Sequence, residues 1–82
     1  MKLRNIVGMN LRYYRYLAGK TQEQFYEDAN LNYKYLSRIE NGKVNMTVDF
    51  IDSIAVKLNL STSDLITYKS SHIIKKEREK IK

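Results

Sequence analysis

Tyr33, Lys34, Ser37, Arg38 and Asn41 recur at helical spacing within one short stretch, and every one of them carries a hydrogen-bonding side chain. Two of the five are cations, and Lys43 follows two residues after Asn41, the last of the five. A polar and basic row of this kind can bond phosphate oxygens and the edges of bases. Other chemistries lack their residues. There is no cysteine, so neither a disulfide framework nor a Cys-based zinc site is available. His72 is the single histidine, too few for a His-rich metal cluster or a convincing triad. No nucleophile–base pair and no metal set can be assembled, so an enzyme, a metal and a cofactor are not expected.

The charge of the whole chain agrees with that row. Fifteen Lys/Arg against nine Asp/Glu leave a formal charge of +6 and a pI near 9.6, which favours an acidic partner. The excess is uneven. Residues 1–43 hold eight basic and four acidic side chains, residues 44–68 one basic and three acidic, and residues 69–82 six basic and two acidic. One face is therefore expected to meet a polyanion and another to meet something else. Eighty-two residues make one small domain. No apolar run exceeds three residues, so a membrane span is excluded, and the Met-Lys-Leu-Arg-Asn start lacks a signal peptide's apolar core. A cytoplasmic protein with no membrane partner is the expectation.

The elements that must carry the polar row are all helical. No proline occurs, and the runs between turn signals follow three- and four-residue spacing rather than alternation. Leu3, Val7, Leu11, Tyr14 and Leu17 or Ala18 form the inner stripe of a first helix ending at Gly19. Thr21 caps a short second helix with Phe25 and Ala29 as its apolar stripe. Asn30 suits a left-handed turn, and Asn32 caps a third helix with Leu36 and Ile39 inward and Gly42 closing it. Thr47 opens a fourth helix along Val48, Ile51, Ile54, Ala55 and Leu58, and Asn59 makes its exit turn. Ser61 or Thr62 caps a fifth, carrying Leu65 and Ile66. The fold class is all-α: a compact five-helix domain over residues 1–68, with strands absent. Residues 69–82 form a basic C-terminal segment, either a sixth helix or a tail, and His72 is expected to be a solvent-exposed residue of it.

The second and third helices, 21–28 and 32–41, are joined by Ala29-Asn30-Leu31. Two helices across a tight turn, the second polar and basic outward, make a helix-turn-helix candidate. The geometry suits DNA because the second helix enters the major groove only if the first props it away from the body. Phe25, Ala29, Leu31, Leu36 and Ile39 have the spacing of that inner clamp.

Val7-Gly8-Met9-Asn10-Leu11-Arg12 with Arg15, then Thr21-Gln22-Glu23-Gln24-Phe25, then Tyr35 to Lys43, and later Ile54 to Leu60, follow one another in a specific order. Over about residues 6 to 66 this array resembles the Cro/phage-repressor type of helix-turn-helix regulator. The resemblance implies a phage-repressor-like fold and a role for each matching position. Thr21 and Gln22 stand where the family sets the start of its first motif helix against a phosphate. Asn32, Tyr33, Lys34, Ser37 and Arg38 stand at the base-reading positions, with Arg38 or Lys34 suited to guanine O6 and N7. Asn41 and Lys43 stand where the family contacts the DNA backbone. Arg15 and Glu40 stand where the family pairs its first helix with the end of its recognition helix.

This chain also departs from the pattern. Tyr26 replaces a usual alanine, Lys20 an apolar residue, Asn30 a glycine and Met46 a frequent proline. The Tyr26 ring must either be accommodated between the motif helices or turn outward. Tyr14, Tyr35 and Phe25 are expected in the core, and Tyr13 and Tyr16 half exposed beside it.

One module this small buries too little surface for tight specific binding, so two-fold pairing is expected. Phe50, Val56, Leu65, Ile66 and Tyr68, in the acidic second half, exceed what one small core needs and are the candidate dimer interface. Ile74 and Ile81 either join it or trail along phosphates. The expected function is a homodimeric, sequence-specific regulator of transcription on an inverted repeat in double-stranded DNA. It would be autoregulatory and akin to restriction–modification controllers or phage and plasmid repressors, with no small-molecule ligand. RNA polymerase stays open as a further partner, as does the choice between activator and repressor. The rival reading is a protein-interaction module, antitoxin-like or accessory, using the same fold to bind another protein.

Overall fold

The boundaries of the helices follow from their caps. The computed structural model describes residues 1–73, and its elements are α1 (Leu3–Leu17), α2 (Gln22–Asp28), α3 (Tyr33–Glu40), α4 (Val48–Lys57), α5 (Thr62–Ile66) and a 3-10 turn at Ser70–His72. The fold is all-helical, and no strand occurs among the described residues. Thr21 and Gln24 close a reciprocal capping box at the start of α2, each backbone N–H donating to the other's side chain at 3.2 Å. The Asn32 side-chain oxygen accepts from the N–H groups of Lys34 and Tyr35 at 3.0 and 3.3 Å and opens α3. Thr47 caps α4, and Ser61 with Asp64 makes a second capping box for α5.

The exits are equally local. Asn30 and Asn59 take φ of +61° and +59°, the left-handed conformation their side chains tolerate, and each turns the chain sharply into the next element. Asn30 thereby ends α2 and leads into α3, and Asn59 ends α4 and leads into α5.

The core is formed by Val7, Leu11, Tyr26, Leu36, Ile39, Ile51, Ile54, Ala55 and Leu65, each at most 1% exposed, with Val44 at its edge. α1 packs on α3 and α5, α2 on α3, and α4 on α5. The α1–α3 contact depends on Gly8, where a Cβ would lie 2.5 Å from the Ile39 carbonyl oxygen. The inner stripe of α1 is shorter than its spacing predicts. Leu3 and Leu17 lie in the terminal turns and are exposed, so the helix buries its middle through Val7 and Leu11.

Two further expectations are corrected here. Leu65 belongs to the monomer's own core at 0% exposed and offers nothing to a partner. His72 is buried as well. Its ring stacks on Tyr13 at 3.6 Å between centroids, and its Nδ1 lies 2.7 Å from the Asn10 Oδ1. The Asn10 amide nitrogen donates to the carbonyls of Leu65 and Thr67 at 2.7 and 3.0 Å. The Asn10 oxygen is therefore the acceptor, and His72 donates to it from Nδ1. Burial, with Lys69 adding to it and Asp64 opposing, holds the His72 pKa below its usual value. The 3-10 turn thus docks on α1. Ile74 and Ile81 lie outside the described residues.

Candidate nucleic-acid interface

The row that opens the polar stretch divides along α3 according to its helical angle. Leu36, Ile39 and Glu40 turn inward and are buried. Lys34, Arg38 and Asn41 lie opposite them and are exposed, as are Asn32 at the cap and Lys43 beyond the exit. Ser37 sits half-buried at the flank. Tyr33 does not stand clear of the body: it is half-buried and packs against the core, one turn before Leu36. Tyr35, expected inside, is 38% exposed, with its ring edge-on to Phe50 at 5.7 Å. The two tyrosines thus exchange the places their spacing suggests, because the inward face of α3 points towards 33, 36 and 40.

What holds this ridge outward is a polar hub at the inner end of α3. Glu40 receives two hydrogen bonds from Arg15, Nε to Oε2 at 2.9 Å and Nη2 to Oε1 at 3.0 Å, and neither side chain is exposed. Gln22 donates its amide to Oε1 at 3.1 Å. The Tyr26 hydroxyl donates to Oε2. Arg12 approaches the same carboxylate, with its Nε 3.8 Å from Oε1. Arg15 further donates to the Lys20 carbonyl at 3.3 Å and lies over the Tyr16 ring at 5.0 Å.

One carboxylate therefore ties α1, α2 and α3 together. Burial alone would raise the Glu40 pKa, but hydrogen bonds from Arg15 and Tyr26 and the Arg15 charge hold it below the usual range. Burial and the adjacent carboxylate push the Tyr26 phenol far up, so it remains a donor. Tyr26 is accordingly accommodated between the helices, fully buried, with its hydroxyl replacing part of the solvation that Glu40 gives up. Gln22, expected against a phosphate, has its amide committed to this hub.

The second candidate surface is thinner than its composition suggests. Val56 is 78% exposed, Tyr68 49% and Ile66 40%, while Phe50 is half-buried against Tyr35 and Leu65 is enclosed. Among the described residues no cluster of three His, Cys, Asp or Glu side chains is placed to hold a metal, and no helix is long and apolar enough to cross a membrane.

α2 and α3 form a helix pair with an exposed basic row on the second member, and the family model described as helix-turn-helix matches residues 11–65. The chain belongs to the helix-turn-helix family. An uncharacterized helix-turn-helix-type transcriptional regulator of Sinorhizobium fredii, y4dJ, is 34% identical over 67 residues, covering 82% of this chain and 87% of the relative. Control protein C.SmaI of Serratia marcescens is 31% identical over the same length, covering 82% and 80%. The crystal structure of a hypothetical transcription factor from Neisseria, NHTF, superposes with a TM-score of 0.72 at 25% identity, over 99% of this chain and 86% of that one. This is a transcription regulator of the helix-turn-helix, DNA-binding kind.

Within the helix-turn-helix regulator, sequence reasoning missed the Tyr26 and Gln22 contributions to the hub and the Asn10–His72 contact. A signal existed for the first: residues 22 and 26 are four apart and share a face of α2. For the second there was none, since 62 residues separate the partners.

Proposed function

We propose that this chain acts as a homodimeric, sequence-specific regulator that binds an inverted-repeat operator in double-stranded DNA and controls its own expression. The observation that carries the reading is the division of α3, with Lys34 and Arg38 exposed while Leu36, Ile39 and Glu40 are buried behind them. In this reading Arg38 and Lys34 meet base edges in the major groove, with Asn32 and Ser37 beside them and Tyr33 reaching in only at its exposed edge. Thr21 at the start of α2, and Asn41 and Lys43 beyond the end of α3, hold the phosphate backbone. Gln22 acts there mainly through the Glu40 hub.

Val56, Ile66 and Tyr68 form the centre of the dimer contact, with Phe50 behind them and Leu65 withdrawn from it. Two-fold pairing would set two α3 helices about 34 Å apart, on successive major grooves. The likeness to a control protein supports the controller form of this reading over a phage or plasmid repressor. Activation or repression then depends on where the operator lies relative to the promoter.

Selection of bound duplexes from a random pool, at two salt concentrations, tests the reading. The expected outcome is a palindrome with half-sites about one helical turn apart. Arg38→Ala should relax one position of that palindrome at a cost of about 1–3 kcal/mol, and Lys43→Ala should weaken all duplexes alike. A pool with no recovered consensus, together with an Arg38→Ala variant of full activity, would favour the protein-interaction reading instead.

A further inference from the structure

The first turn of α1 lies against the loop that leaves α3. Arg4 donates from Nη1 to the Asn45 Oδ1 at 2.6 Å, across 41 residues of chain. The next residue, Asn5, packs its amide on Gly42, whose α-carbon has no room for a Cβ on that side. Between these two contacts the loop carries Lys43, which is exposed, and just ahead of Arg4 stands Lys2, also exposed. An open groove of about 150 Å³ runs beside them, lined by Lys2, Leu3, Arg4, Asn45, Met46 and Ile51. Two cations, Lys2 and Arg4, thus line a groove beside the loop that follows α3, with Lys43 in that loop, and among the described residues no acidic side chain lines the groove.

The chemistry of the cluster is that of an anion site with one arm already set. An arginine has five N–H donors, and Arg4 spends one on Asn45, which leaves the others for oxygens of an anionic partner. Fixing the guanidinium on Asn45 removes part of the side-chain entropy that a free arginine loses on binding. The contacts of Asn5 with Gly42 and of Arg4 with Asn45 set this groove beside the loop that follows α3, within reach of an anionic chain that continues past the end of that helix.

We propose that Lys2 and Arg4, the latter held by Asn45, form a clamp for the sugar–phosphate backbone of duplex DNA, extending the footprint past the helix-turn-helix. The proposal rests on the duplex-binding reading above and adds a segment outside residues 11–65, where the family match lies. The clamp touches phosphates and no bases, so it adds affinity without sequence preference.

The test is the salt dependence of affinity, measured by fluorescence anisotropy on a selected operator duplex and on an unrelated duplex from 50 to 300 mM salt. Lys2→Gln and Arg4→Gln each remove one charge, and the glutamine at position 4 retains an amide donor for Asn45. With two copies per bound dimer, each is expected to make the slope of log K against log salt shallower by about 1.8, with the double variant near twice that, on both duplexes equally. Lys57→Gln, in the last turn of α4, removes the same charge elsewhere and is expected to leave the slope near that of the parent. Slopes of Lys2→Gln and Arg4→Gln equal to that of Lys57→Gln would overturn the clamp while leaving duplex binding intact. A parent protein that binds neither duplex at any salt would overturn the duplex-binding reading, and the clamp with it. Should Arg4→Gln fold poorly by circular dichroism, Lys2→Gln, at an exposed position, decides alone.

Discussion

At the scale of single residues the molecule is governed by two buried polar groups, Glu40 and His72. Glu40 is ionised inside the protein, and its partners are what make that tolerable. Glu40→Gln leaves the buried Arg15 guanidinium without its counter-charge, and a loss of about 3–5 kcal/mol in urea denaturation is expected. Tyr26→Phe removes one hydrogen bond to the carboxylate and should cost about 1.5–3 kcal/mol. Because the folded pKa of Glu40 lies below its unfolded value, its contribution is present above about pH 4.3 and is lost as the pH falls from there through the folded pKa. His72 follows the same sign at a different pH. Its folded pKa is also depressed, so the stability it contributes is present above about 6.5 and is lost as the pH falls below that value. No other histidine is present, so the window between pH 7 and 5 belongs to this residue. Thermal melting should show a decline across that window in the parent and none in His72→Phe, and an imidazole that titrates at or above its ordinary value by NMR would contradict the buried stack.

At the scale of elements the controlling feature is how closely α1 approaches α3. Gly8→Ala places a methyl group against the carbonyls of Ile39 and Glu40, so the helices must separate at the point where Arg15 meets Glu40. Overpacking of this sort costs about 1–3 kcal/mol. Here it should also loosen the α3 ridge, so that affinity for a selected duplex falls more than the melting temperature alone accounts for. An unchanged melting temperature would show that the helices yield without strain. The helices themselves were readable because their determinants are local. Thr21, Asn32, Thr47 and Ser61 cap where their types and spacing indicate, and Asn30 and Asn59 turn where an αL residue is required. The positions that eluded the sequence are those decided by distant partners. Tyr33 and Tyr35 are both aromatic and polar-tipped and stand two residues apart on α3, and the placement of α4's Phe50 and the core determines which one is enclosed. His72 reads as one residue of a basic segment until Asn10, on the first helix, supplies its partner.

At the scale of the whole molecule the open matter is how one small domain attains an affinity that a single module cannot supply. On the proposed reading a lone α3 would offer only the exposed Lys34 and Arg38 to the bases and a few phosphate contacts, whereas specific sites are bound through surfaces of about 1,000–2,500 Å². Doubling the module through a two-fold contact is the economical route, since each protomer then presents the same ridge to one half of a palindrome. In the proposed dimer the exposed Val56, Ile66 and Tyr68 would form that contact, and Leu65 beside them is a built-in control because it is fully enclosed within its own chain. Val56→Asp and Ile66→Asp should leave the far-UV spectrum and melting temperature nearly unchanged, while sedimentation equilibrium at tens of micromolar shows monomers in place of the parent dimer. Both variants should lose most of their affinity for the full palindrome yet bind an isolated half-site as the parent does, because α3 and its hub are untouched. Leu65→Asp should instead unfold the domain, since it places a charge in the core with no partner. A parent chain that sediments as a monomer at those concentrations, or a Val56→Asp variant that remains dimeric, would move the two-fold axis to another surface and remove α4 and α5 from the interface.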